Sequence, residues 1–85
     1  TINMNCAIGH NSVIEKYSSL APGVNLAGFT KINKCTDIGI GASTIQNVNI
    51  GENSIIGGQS MVIDDIPPNA TAAGVPAKII NERLI

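Results

Sequence analysis

The chain carries an aliphatic residue at almost every sixth position, and this period limits the available folds more than any other feature. Ten of these 11 positions are Ile, Leu or Val, whereas their 27% share of the sequence predicts about three. The column, broken only by Thr44, is Ile2, Ile8, Ile14, Leu20, Leu26, Ile32, Ile38, Thr44, Ile50, Ile56 and Val62. A six-residue period matches neither an amphipathic helix nor an alternating strand. It predicts a solenoid of short strands and corners.

Two further columns support this interpretation. The fourth residue after each aliphatic is almost always small: Cys6, Ser12, Ser18, Val24, Thr30, Thr36, Ala42, Val48, Ser54 and Ser60, followed by the larger Ile66. The residue directly after each aliphatic is mostly Gly, Ala or Asn, so we expect tight corners there. Each strand should pair in parallel with its equivalent one coil away, so that aliphatics stack inside and Asn and Ser form ladders. A narrow interior explains why only Tyr17 and Phe29 are aromatic.

Composition argues against several classes of protein. The net charge is −1 with no basic run, which is unlike a nucleic-acid-binding protein. No apolar run approaches the ~18 residues of a membrane span. Cys6 and Cys35 are too few for a disulfide scaffold and predict free thiols in a cytoplasmic protein. The 85 residues begin with Thr1 and are too few to bury much surface, so we expect a piece of a longer protein.

The repeat resembles that of the hexapeptide-repeat acyltransferases, in which an aliphatic residue is followed by a small or acidic one and later by a second small one. The match runs through eleven hexapeptides, from Ile2 to Pro67. The resemblance implies an all-β left-handed parallel β-helix in which three hexapeptides, with one strand each, make one coil, and therefore just under four coils here. The left hand comes from the resemblance alone, because parallel crossovers are generally right-handed. We expect this domain to cover residues 1–67.

A second motif lies in the expected C-terminal cap, residues 68–85. Residues 74–78 read Gly-Val-Pro-Ala-Lys, which resembles the segment after the last coil in acetyl-CoA-dependent members of the family. Pro67 and Pro68 should end the repeat because proline cannot donate a strand hydrogen bond. Lys78 could meet a phosphate as a point charge. The alternative role is only to cap the apolar end of the solenoid, with residues 79–85 as a short helix or extended tail.

A third motif narrows the resemblance. Residues 8–14, Ile-Gly-His-Asn-Ser-Val-Ile, and residues 20–28 are similar to the sialic acid O-acetyltransferase (NeuD) family, which includes bacterial nucleotide-amino-sugar N-acetyltransferases. Those enzymes carry an upstream α/β domain that binds the nucleotide sugar and that these 85 residues do not contain. The resemblance therefore covers nearly all of the chain but only the C-terminal portion of a typical member.

The resemblance also implies a general base. In the family, the histidine at the position of His10 takes the acceptor proton, which suits imidazole near neutral pH. His10 is the third residue of its hexapeptide, where its side chain should leave a corner outward. Many members follow this histidine with an acidic residue; Asn11 stands here and can orient the ring but adds no charge. Ser19 stands where many members have a second histidine that touches acetyl-CoA.

The remaining site residues follow from the coil length. Gly28 lies three hexapeptides after His10, one coil above it, and the family directs a backbone N–H near this glycine to the thioester carbonyl. Ile40 and Gly58 are separated by the same interval and share a different column, which by resemblance lines the CoA arm. The two columns should meet only between subunits, in agreement with the trimers of this family.

These expectations combine into one function with two alternatives. We expect acetyl transfer from acetyl-CoA to a sugar, either nucleotide-linked or sialic acid, by direct attack, because no Ser-His-acid triad is evident. A serine or other small-molecule O-acetyltransferase is the first alternative, and a non-catalytic trimeric β-helix module is the second. We expect no metal site, since a single histidine excludes the zinc-binding γ-class carbonic anhydrases.

Overall fold

The computed structural model describes residue 2 and residues 5–82, and in this part of the chain all regular secondary structure is β. Ten two-residue strands are followed by two longer ones. They are β1 Ala7–Ile8, β2 Val13–Ile14, β3 Ser19–Leu20, β4 Asn25–Leu26, β5 Lys31–Ile32, β6 Asp37–Ile38, β7 Ser43–Thr44, β8 Asn49–Ile50, β9 Ile55–Ile56, β10 Met61–Val62, β11 Ala70–Ala73 and β12 Lys78–Glu82. No helix in the described part is long and apolar enough to cross a membrane.

The strands form three faces of a left-handed parallel β-solenoid of about four turns. The first face is β1-β4-β7-β10, the second is β2-β5-β8, and the third is β3-β6-β9-β11-β12. Paired residues such as Ala7 and Asn25 are three hexapeptides apart, so each coil contributes one strand to each face. The expected fold and coil length are therefore confirmed.

The core is the stack of inward aliphatics that the period predicts. The second residue of each central strand is buried, and the small column fills the space between these residues. The apolar members of the two columns that are at most 3% exposed are Leu20, Val24, Leu26, Ile32, Ile38, Ala42, Val48, Ile50, Ile56 and Val62. Several buried hydroxyls in the small column donate to a backbone carbonyl of the next coil. Ser18 donates to the carbonyl of Asn33 at 2.7 Å and Thr36 to that of Gly51 at 3.1 Å. Small polar residues are therefore tolerated in this core, because their hydroxyls have hydrogen-bond partners.

The corners differ from the prediction in position. The residue with positive φ comes three positions after the inward aliphatic, not one, and is Asn11, Tyr17, Gly23, Phe29, Cys35, Gly41, Asn47, Asn53 and Gln59 in successive corners. Glycine occurs directly after the aliphatic for a different reason, which is that the backbones of neighbouring coils are in close contact there. A Cβ on Gly9 would lie 2.5 Å from the nitrogen of Gly28, and one on Gly39 would lie 2.6 Å from that of Gly58. Only glycine lets the two backbones approach this closely.

The last coil is shorter than the others. Ile66 bridges Ile50, and Thr71 and Ala72 pair with β9. In each of these pairs the partners are two positions closer in sequence than three full hexapeptides. Ile66 therefore occupies an inward aliphatic position. It does not belong to the small column, which explains its larger side chain. The hexapeptide spacing ends before the prolines, but parallel pairing continues beyond them into β11. Pro67 and Pro68 are tolerated because no further coil above them needs an N–H donor.

The C-terminal segment closes the end of the solenoid as an antiparallel hairpin. β12 runs back along β11 from Lys78, opposite Ala73, to Glu82, opposite Ala70. The N–H of Ala77 donates to the carbonyl of Met61 at 2.8 Å, and the N–H of Met61 donates to the carbonyl of Gly74 at 3.0 Å. Residues 78–82 are thus a strand and not the short helix that was one of two expectations, whereas residues 83–85 lie outside the described part.

Candidate active site

His10 lies at the corner that follows the first face. We call His10, Asn11, Gly28 and Phe29 the His10 corner. The N–H of Phe29 donates to the carbonyl of His10 at 3.0 Å, which holds the two coils in register. A Cβ on Gly28 would lie 3.2 Å from Cε1 and 3.3 Å from Nε2 of His10. The imidazole therefore lies directly against the bare Cα of Gly28, and the predicted one-coil relation is present.

The His10 ring is exposed and held by an aromatic contact. The rings of His10 and Phe29 are edge to face, with centroids 5.1 Å apart and an interplanar angle of 88°. Such a contact contributes about 0.5–1.5 kcal/mol. Sequence reasoning missed Phe29, although its place directly after Gly28, the residue one coil above His10, was a usable signal. Aromatic residues are rare here, and one stands beside the single histidine.

Asn11 has a structural explanation. Its φ is 57°, and asparagine tolerates this left-handed conformation better than most residues. Among the described residues, its side chain makes no hydrogen bond to the His10 ring. The contact that the described residues make with the imidazole ring here is that of Phe29, and an orienting role for Asn11 stays a prediction.

Gly28 combines burial with an unused backbone donor. Within residues 5–82 its N–H has no hydrogen-bond acceptor. The preceding carbonyl, that of Ala27, accepts hydroxyl hydrogen bonds from Thr30 at 2.7 Å and from Ser12 at 3.2 Å. One end of this peptide unit is thus fixed while the other is available to a bound group.

The residues predicted to line the CoA arm lie at the corner after the third face, which we call the CoA corner: Ile40, Gly58 and Lys78. The N–H of Gln59 donates to the carbonyl of Ile40 at 2.8 Å, so Gly58 lies one coil above Ile40. Lys78 is exposed and pairs with Ala73. Ala73 lies next to Gly57, because a Cβ added to Gly57 would be 2.9 Å from the Cβ of Ala73. An exposed aliphatic, an open glycine and a lysine therefore lie along one edge.

Ser19 belongs to neither corner. It lies on the third face, opposite Asp37 in the neighbouring strand. Within one copy of the chain, the His10 corner and the CoA corner are separated by the first face, as the spacing of the two columns predicted. A single copy does not bring the two sets of residues together.

A further groove of about 260 Å³ lies at the remaining corner, after the second face. It is lined by Glu15, Asn33, Lys34, Asn49, Gly51, Glu52 and Pro68. Its ion pairs, Lys34–Glu52 at 3.9 Å and Lys31–Glu15 at 4.0 Å, are half exposed and therefore contribute little to stability. In the described part of the chain, no three His, Cys, Asp or Glu residues are grouped to hold a metal.

Comparison with known proteins finds that the chain is similar to acetyltransferases. No family model matches the chain. It is 37% identical over 83 residues to the serine acetyltransferase of Haemophilus influenzae, covering 88% of this chain and 31% of that enzyme. A perosamine N-acetyltransferase from Caulobacter crescentus, solved with CoA and GDP-perosamine, superposes with a TM-score of 0.92 at 31% identity, covering 94% of this chain and 38% of that one.

The acetyltransferase domain of PglB from Neisseria gonorrhoeae, solved with acetyl coenzyme A, gives a TM-score of 0.90 at 31% identity, covering 92% of this chain and 38% of that one. The chain thus spans under two fifths of each of these relatives. The resemblance to the NeuD family in particular is not singled out, since serine and sugar acetyltransferases both match. The chain has the left-handed β-helix fold of the hexapeptide-repeat acetyltransferases.

Proposed function

We propose that the protein transfers the acetyl group of acetyl-CoA to an amino or hydroxyl group of a sugar, nucleotide-linked or sialic acid, with His10 as the general base. The observation that carries this proposal is the contact of the His10 ring with Gly28, whose N–H lacks an acceptor within residues 5–82. A base and an oxyanion donor are thereby next to each other, as acyl transfer requires.

The reaction is a direct attack. His10 takes the proton of the acceptor amine or hydroxyl, and the nitrogen or oxygen forms a bond to the thioester carbonyl carbon. The negative charge that develops on the carbonyl oxygen accepts a hydrogen bond from the Gly28 N–H. The carbon–sulfur bond then breaks, and the CoA sulfur leaves as a thiol with the proton from His10. Since Asn11 carries no charge, no carboxylate at that position stabilises the imidazolium.

CoA would lie between two copies of the chain in a homotrimer. The His10 corner of one copy would face the CoA corner of the next, where the Ile40 side chain is 61% exposed. Ile40 and Gly58 offer an apolar, open surface for the pantetheine arm, and the Lys78 ammonium offers a charge for its phosphates. Ser19, on the face that leads to this corner, can supply a hydroxyl hydrogen bond.

This pairing of corners decides which face meets the threefold axis. The first face lies between the CoA corner and the His10 corner, so it would turn towards the axis in every copy. Ile45 and Ile63 directly follow β7 and β10, where this face meets the His10 corner, and they are 44% and 40% exposed in one copy. Burying these side chains would stabilise the trimer through the hydrophobic effect.

Transfer to serine is the second candidate. It is favoured by the 37% identity to a serine acetyltransferase, whereas the sugar acceptor is favoured by the TM-score of 0.92 with a perosamine N-acetyltransferase. A cytoplasmic location agrees with Cys6 and Cys35, which are both free thiols.

The deciding experiment is a thiol-release assay with acetyl-CoA, in which UDP-, CMP- and GDP-linked amino sugars, free sialic acid and serine are compared as acceptors. His10→Ala should lower kcat by about 10²–10⁴-fold, the usual contribution of a general base. Lys34→Ala, an exposed residue at another corner, is the matched control and should retain the full rate. Full activity of His10→Ala contradicts the mechanism, whereas release stimulated only by serine contradicts the sugar acceptor. Absence of both CoA binding and thiol release would favour the non-catalytic module.

A further inference from the structure

The backbone ladder between coils changes at one point, beside Gly28. In the other coils, the residue after the inward aliphatic donates its N–H to the backbone carbonyl of the aliphatic one coil above. Gly9 donates to Leu26 at 2.7 Å, Ala21 to Ile38 at 3.0 Å and Ile45 to Val62 at 3.1 Å. Ala27 donates instead to the side-chain hydroxyl of Thr44 at 3.3 Å. Thr44 is the one residue that interrupts the aliphatic column.

The pattern of the small column changes at the same point. Ser12, Ser18 and Thr36 each donate to a carbonyl 15 residues further along. Thr30 instead makes its short hydrogen bond, 2.7 Å, to the carbonyl of Ala27 in its own coil, while the carbonyl of Ile45, at the equivalent place in the next coil, is 3.5 Å away. Thr30 also lies 3.1 Å from the hydroxyl of Thr44.

These contacts close a ring of hydrogen bonds around one residue. The Ala27 N–H donates to the Thr44 hydroxyl, the Thr44 hydroxyl donates to that of Thr30, and Thr30 donates to the Ala27 carbonyl. Each hydroxyl has one hydrogen, so the short bond from Thr30 to Ala27 leaves Thr44 as the donor between them. Ser12 adds a second hydroxyl to the same carbonyl at 3.2 Å.

Packing alone does not account for the arrangement of these hydroxyls. Thr30 and Thr44 are only 1% and 7% exposed. Thr44 stands in a column that is otherwise aliphatic, and Thr30 shares a hydroxyl with much of the small column but makes its short hydrogen bond within its own coil. Valine has the shape of threonine and would fill either place without a polar atom to satisfy. What the hydroxyls add is control of the Ala27 backbone, on the coil that lies over His10.

The Ala27 carbonyl and the Gly28 N–H belong to the same planar peptide unit, so fixing one fixes the direction of the other. Hydrogen bonds to the carbonyl also polarise the unit and strengthen its N–H as a donor. We propose that Thr30 and Thr44 are positioning residues that hold the Ala27–Gly28 peptide so that the Gly28 N–H meets the thioester oxyanion. This inference rests on the proposed function of the same site.

The test uses the isosteric variants Thr30→Val and Thr44→Val and their double variant in the purified protein. Thr30→Ser, which keeps the hydroxyl, should rescue. Thr36→Val is the matched control, because Thr36 is equally buried but donates to Gly51 at a different corner. We expect kcat to fall about 5–20-fold in Thr30→Val with the KM for acetyl-CoA changed less than about twofold, since one oxyanion donor is misdirected but not removed. Thr36→Val should keep kcat within about twofold.

A second readout does not depend on catalysis. The ¹⁵N and ¹H shifts of the Gly28 amide report on the hydrogen bonds of the preceding carbonyl, and they should move in Thr30→Val but not in Thr36→Val. An unmoved Gly28 amide overturns the inference, as does an equal loss of kcat in Thr30→Val and Thr36→Val. The proposed function fails separately, if His10→Ala keeps the full rate. The double variant removes both hydroxyls, so neither is left buried without the other. It therefore guards against misfolding of either single variant.

Discussion

At the scale of single residues, the corners are the most constrained part of this molecule. The corners that follow β1 to β9 each place one residue at positive φ, and several of these residues are neither glycine nor asparagine, notably Tyr17, Phe29, Cys35 and Gln59. For most side chains this conformation costs about 1–2 kcal/mol. Phe29 has a visible reason to be there, because its ring contacts His10. Cys35 is exposed and has no such contact among the described residues.

Cys35→Asn should therefore stabilise the protein. Asparagine adopts φ near 59° at lower cost than cysteine, so we expect the free energy of unfolding to rise by about 0.5–1 kcal/mol. Urea denaturation followed by circular dichroism measures the change. Gln46→Asn is the control, because Gln46 is an exposed corner residue without positive φ and should show no gain. Equal effects of the two substitutions would refute the conformational explanation.

At the scale of strands, the shortened last coil leaves the second face with an irregular upper edge. Lys31 in β5 donates its N–H to the carbonyl of Val48, as the ladder requires. Asn49, the equivalent residue of β8, donates instead to the carboxylate of Asp65 at 2.8 Å. A side chain thus supplies the acceptor that a full-length coil would otherwise have supplied.

Asp65→Ala should weaken this edge. The N–H of Asn49 loses its acceptor, and because both residues are exposed we expect a loss of about 1 kcal/mol in the free energy of unfolding. Asp65→Asn retains an acceptor oxygen and should lose less. Asp64→Ala is the matched control, since Asp64 is an exposed carboxylate without a hydrogen bond in the described part of the chain. Thermal unfolding distinguishes the three variants, and a loss in Asp64→Ala equal to that in Asp65→Ala would contradict the role of the hydrogen bond.

At the scale of the whole molecule, the three faces differ in chemistry. The exposed ion pairs lie along the second face and the corner that follows it, whereas Ile45 and Ile63 lie where the first face meets the His10 corner. A surface with exposed aliphatics in register on successive coils is typical of an interface. The proposed trimer would bury it and would complete each site with the CoA corner of the neighbouring copy.

Ile45→Lys should therefore dissociate the proposed trimer and lower the acetyl-transfer rate together, because a charge would be repeated at the interface in all three copies. Light scattering after size-exclusion chromatography measures the mass, and the thiol-release assay measures the rate. Ile55→Lys, which changes an exposed aliphatic on the third face, should leave both unchanged. A trimer that survives Ile45→Lys would show that another face forms the interface.

Much of this molecule follows from its sequence because the controlling pattern is local. The six-residue period decides which side chains point inward, and the coil length decides that Gly28 lies over His10 and that Ile40 and Gly58 share another corner. Other features required the stacked coils. The left-handed corner residues, the shortened last coil and the contact between Phe29 and His10 each depend on groups that meet only across coils.

The ring formed by Ala27, Thr30 and Thr44 illustrates the difference. In the sequence, Thr44 is only an exception in a column of aliphatics, and Thr30 is one more small residue. The tertiary structure brings the two hydroxyls within 3.1 Å and shows which backbone groups they bond. Side-chain periodicity determines the solenoid, but the partner of each backbone N–H and carbonyl is decided by the coil above it, since parallel strands satisfy each other over a long separation in sequence.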